Sequence, residues 1–114
     1  ASRCRAYGDE LLAIAEPNSL RELEAVARRW RGEAMFVEKD YLEAQAELSR
    51  AAALAENIGR VRLQMDVQAA LARLLAAQGQ RDAAQHHGAK ARAIAEAIEK
   101  SLESSGIEAR LRMS

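Results

Sequence analysis

Apolar side chains recur along the chain at steps of three and four residues, and the runs are interrupted at intervals by Gly, Pro and Asn. This is the pattern of amphipathic helices joined by tight turns. Pro17-Asn18-Ser19 breaks the first run. Ser19 and Glu22 then have the S-x-x-E spacing in which a hydroxyl and a carboxylate cap a helix start. The pattern predicts a helix over 20–37 with Leu23, Val26, Ala27, Trp30, Ala34 and Val37 as its buried stripe. Asp40, with Glu43 three residues on, offers the cap of a second helix that runs to about Asn57 and stops at Gly59. A third helix is expected over 60–78, with Val67, Leu71, Leu74 and Leu75 inward and Gly79 placed to take the left-handed conformation that ends it. A fourth should span 82–103, closed by Ser104-Ser105-Gly106, with Ile107 to Met113 adding a short terminal helix.

Composition strengthens this reading. Alanine makes up nearly a quarter of the 114 residues, threonine is absent, and Val and Ile together number nine. Helix formers dominate and strand formers are scarce. The fold class expected is all-α.

A period then emerges. The triplets Ile14-Ala15-Glu16, Leu54-Ala55-Glu56 and Ile94-Ala95-Glu96 repeat at a spacing of 40 residues. In the same frame Cys4 aligns with Ala44 and Ala84, Leu11 with Ala51 and Ala91, Gly32 with Ala72, and Met35 with Leu75. Gly8 and Gly88 also coincide, with Leu48 between them. The break at Lys39-Asp40 falls on Gly79-Gln80, so the repeating unit is an antiparallel helical hairpin. One unit covers 18–58 and a second 59–103, with 104–114 as a tail. Residues 1–17 correspond to the second helix of an incomplete preceding unit, so the chain reads as a piece of a longer array.

These units resemble the tetratricopeptide (TPR) repeats. The likeness lies in a small residue within the first helix (Gly32, Ala72), a long or aromatic residue after the turn (Tyr41, Arg81), and small residues along the second helix (Ala44, Ala84, then Ala51, Ala91). Three departures accompany it: the period is 40, Arg28 and Gln68 stand where the family has an early Trp, and Glu56 and Glu96 stand where it has a closing Pro. The longer unit is similar to the helical sensor arrays of large bacterial signalling proteins, which accompany nucleotide-binding switch, LuxR-type DNA-binding or cyclase domains. The resemblance implies hairpins stacked as a superhelix that binds proteins on its concave face. The residues matching groove positions are Val26, Arg29, Glu33, Phe36 and Val37 in one unit, and Asp66, Ala69, Arg73, Ala76 and Ala77 in the next. Phe36 reads as an exposed apolar anchor among charge-assisted contacts.

Charge and chemistry narrow the function. Seventeen basic residues balance seventeen acidic ones, and aromatics are few (Tyr7, Trp30, Phe36, Tyr41), which argues against nucleic-acid binding by this segment. No apolar run approaches the roughly 20 residues of a membrane span, and a lone Cys4 suits a reducing, cytoplasmic setting. His86 and His87 are adjacent and point about 100° apart on a helix, so they do not share a metal. No phosphate-loop, zinc-protease, thiol-redox or hydrolase motif occurs. No catalytic residue, metal or cofactor is expected. Arg28, Arg29 and Arg31, with Arg60, Arg62 and Arg73, form the densest basic cluster, set among carboxylates and read mainly as a solvated mixed-charge face. Trp30 reads as core. The expected function is a protein or peptide interaction module, with a self-associating homodimer as the alternative.

Overall fold

The computed structural model describes residues 2–113, with side chains described at position 3 and over 5–106. Five α-helices follow in order: α1 (Ser2–Ala15), α2 (Arg21–Val37), α3 (Tyr41–Asn57), α4 (Val61–Ala77) and α5 (Arg81–Met113). No strand occurs among the described residues. The side chain of Cys4, which the repeat frame pairs with Ala44 and Ala84, lies outside the described side chains.

The helices end where the chain turns left-handed, and it does so every 20 residues. Ser19 (φ 53°), Lys39 (65°), Gly59 (71°) and Gly79 (77°) all have positive φ. The following amide in each case bonds back five residues: Leu20 to the Ala15 carbonyl at 3.0 Å, Asp40 to Met35 at 2.9 Å, Arg60 to Ala55 at 3.0 Å and Gln80 to Leu75 at 2.9 Å. This is the Schellman closure, in which a left-handed residue lets carbonyls of the last turn find donors. Glycine meets the requirement at 59 and 79 without a Cβ penalty. Ser19 was expected to cap α2 through its hydroxyl, but its backbone is left-handed, the N-cap position falls on Leu20, and no side-chain cap bond forms. Asp40 does hold the N-cap position of α3, also without a side-chain bond. In both turns the stop of the preceding helix takes precedence over the start of the next.

Each helix packs against its successor, and α2 also meets α4. The core is built from Met35, Leu48, Val67, Leu71 and Leu74 with Ala44, Ala51 and Ala70. The inward positions expected on the third helix are all buried. On α2 the buried arc differs from the expected stripe: Val37 is 66% exposed and Trp30 39%, while Ala25, Ala27, Arg28, Gly32, Ala34 and Met35 are buried. α2 touches α1, α3 and α4, so most of its close contacts fall on small residues, with Met35 and Arg28 the large side chains enclosed and Trp30 and Val37 left at the edges. Gly32 is one of these close contacts, since a Cβ there would lie 2.7 Å from Leu48 Cγ.

The last helix also departs from expectation. α5 runs unbroken through Ser104-Ser105-Gly106, so no separate terminal helix forms. A single glycine costs a helix about 1 kcal/mol, and an added Cβ at Gly106 would have no neighbour within 4 Å, so no tertiary contact rewards a turn there.

Candidate functional site

The side-by-side placement of α2 and α4 brings the charged candidate residues together. Arg29 reaches Glu33 on its own helix (3.6 Å) and Asp66 on α4 (3.4 Å), and Arg73 on α4 reaches Glu33 (3.5 Å). Glu33 and Arg73 occupy the same position of the 40-residue frame with opposite charge, which is why adjacent units pair there. The result is an alternating chain Asp66, Arg29, Glu33, Arg73 across two helices. Its charges pair within the fold, although the buried Nε of Arg29 finds no hydrogen-bond acceptor, and at partly exposed pairs each link contributes about 0–1 kcal/mol. These residues were expected to hold a ligand by charge; in the structure they first hold each other.

Beside this chain lies an open groove of about 250 Å³, lined by Glu33, Phe36, Val37, Leu48, Ala70 and Arg73. Phe36, expected to be exposed, is half-buried against the core and meets Tyr41 edge-on, with ring centroids 5.9 Å apart. Val37 stands out at the rim. Val26 sits away from the groove, in a shallow crevice between α2 and the start of α4 that Arg60, Val61 and Leu63 complete. Ala69 is half-buried on α4, while Ala76 and Ala77 are exposed at its end. Leu48 and Ala70 were absent from the expected set. Neither carries a charge or an aromatic ring to single it out, and only the meeting of α2, α3 and α4 shows that they floor a groove.

The basic cluster resolves into bridges to individual carboxylates, two of which converge on Glu47. Arg28 is buried and bonds Glu16, Glu24 and Glu47 at 3.2–3.3 Å, so one guanidinium ties α2 and α3 to the segment after α1. Arg31 reaches Asp9 at 2.8 Å and Glu47 at 3.5 Å, and Arg60 reaches Glu22 at 2.9 Å. Far from being a solvated patch, Arg28 is a structural clamp. Forty residues on, Gln68 and His87 replace Arg28 and Glu47, and they too bond each other, Nδ1 to Oε1 at 2.6 Å. Burial holds His87 below the ordinary imidazole range, and the positive charges of His86 and Lys90 push the same way.

Among the described residues no cluster of three His, Cys, Asp or Glu side chains is placed to hold a metal. No helix among them is long and apolar enough to cross a membrane. Comparison with family models, with curated proteins and with solved structures finds no match.

Proposed function

We propose that this chain is a non-catalytic, TPR-like interaction module whose α2 and α4 face binds a peptide or helix of a partner protein. The carrying observation is the apolar groove at the meeting of α2, α3 and α4, bordered by a charge chain that is already neutralised. A site of this kind draws its affinity from desolvating an apolar anchor and uses its rim charges for orientation. The resemblance to bacterial sensor arrays supports placing the module within a larger signalling or transcription-regulatory protein. Peptides selected from a displayed library against the chain should lose at least tenfold in affinity on Val37→Asp, a change at an exposed rim position whose folding is checked by circular dichroism. Binders indifferent to that change would reject the groove as the site.

A second reading, self-association through α1, is favoured by the exposure of Tyr7 (55%) and Ile14 (53%) on that helix. Light scattering across a wide concentration range separates the two. A monomer at every concentration would reject self-association.

A further inference from the structure

The floor of the groove has a counterpart elsewhere in the chain, and there the side chain is an indole. The 40-residue frame superposes α2 on α4 and the preceding α1 on α3, with the same turn geometry at Ser19 and Gly59. In this frame Ala70, the floor of the groove, corresponds to Trp30. Trp30 lays its indole against α1, edge-on to Tyr7 with centroids 6.4 Å apart at 77°. At the α3 and α4 junction the indole is cut back to a methyl group. Leu48 stands where α1 has Gly8, and about 250 Å³ lies open beside it. From this we infer that the groove receives an aromatic side chain of the partner, an indole above all.

The lining suits that occupant. The Phe36 ring, already edge-on to Tyr41, offers an aromatic wall to a third ring. At the rim the Glu33 carboxylate can accept an indole N–H, and the guanidinium of Arg73, 67% exposed, can lie over the ring face. An aliphatic side chain engages neither group. A charged one would compete with the Glu33 and Arg73 pair while losing its own hydration over apolar walls.

This inference rests on the interaction reading above, and its test is chosen to fail separately from it. N-acetyltryptophanamide and N-acetylleucinamide are titrated into the full chain while the backbone amide resonances of Phe36, Ala70 and Arg73 are followed. The tryptophan amide should shift these resonances with a dissociation constant on the order of 1 mM, and the leucine amide should bind at least tenfold more weakly. Ala70→Trp, which supplies the chain's own indole, should abolish the shifts. Should that variant fail to fold, Val37→Asp at the exposed rim gives the same loss. Equal or tighter binding of the leucine amide would overturn the aromatic assignment and leave an interaction groove standing. Absence of any shift at the groove with either probe overturns the inference.

Discussion

Two glycines on equivalent hairpin contacts should respond to the same substitution with opposite sign. In the α2 and α3 hairpin, Gly32 faces Leu48; forty residues on, in the α4 and α5 hairpin, Ala72 faces Gly88. Replacing a helical glycine by alanine stabilises by about 1 kcal/mol through backbone entropy alone. At Gly88 the new Cβ would lie 3.9 Å from the Ala72 Cβ, an ordinary contact, so the full gain is expected. At Gly32 it would lie 2.7 Å from Leu48 Cγ and 3.3 Å from the Ala44 carbonyl oxygen. The first distance is about 1 Å inside the carbon–carbon optimum. Leu48 is only 1% exposed, and it is its branch carbon rather than a freely moving tip that meets the new Cβ. Overpacking of this kind costs about 2–3 kcal/mol, leaving Gly32→Ala destabilised by about 1–2 kcal/mol. The two variants should therefore differ by about 2–3 kcal/mol, or roughly 10 °C in Tm for a domain of this size. Urea and thermal unfolding followed by circular dichroism measure both. A double-mutant cycle with Leu48→Ala should return a favourable coupling of about 1–2 kcal/mol with Gly32→Ala. Equal stabilisation at both glycines would refute the close α2 and α3 approach.

Lys39 is a non-glycine residue at φ 65°, in the place that Gly59 and Gly79 hold one and two turns later, so Lys39→Gly should raise stability by about 1 kcal/mol in urea titration. Arg28→Ala should cost about 3 kcal/mol, because Glu47 loses its principal buried partner and the tie between α2, α3 and the end of α1 is cut; a loss below 0.5 kcal/mol, roughly what an exposed pair contributes, would show that Arg28 is no clamp. His87 titrates below its ordinary range in the fold, so the folded state binds this proton less readily than the unfolded chain. Its contribution is complete above about pH 6.5 and is lost as pH falls towards the folded pKa. Stability should decline over that interval in the wild type, and His87→Gln should flatten the decline.

Much of the architecture was legible along the chain. Alanine-rich helix formers excluded strands, Gly59 announced a helix stop and Gly79 a left-handed one, and the structure has positive φ at both. The ends of α2, α3 and α4 fall within one residue of the boundaries that Gly and polar punctuation imply. The regular 20-residue interval was half hidden, because two of its four left-handed positions are Ser19 and Lys39, whose side chains carry no such signal. The charged candidates Arg29, Glu33, Asp66 and Arg73 were also read as one face, and the fold does gather them. What they do there was not legible. Their pairing depends on how far α4 stands from α2, a distance that neither helix specifies alone.

The sequence by itself determined the helical class, the ends of α2, α3 and α4 and the 40-residue recurrence, since these follow from local backbone preference and from spacing along one chain. Only the tertiary structure decided which residues are buried, why Trp30 lies open while Arg28 is enclosed, and where a groove remains between Ala70 and its neighbours. Helix periodicity identifies a face, but burial is the sum of contacts from every neighbouring helix. With α2 meeting three of them, Met35 and Arg28 are enclosed while Trp30 and Val37 are left at the margins.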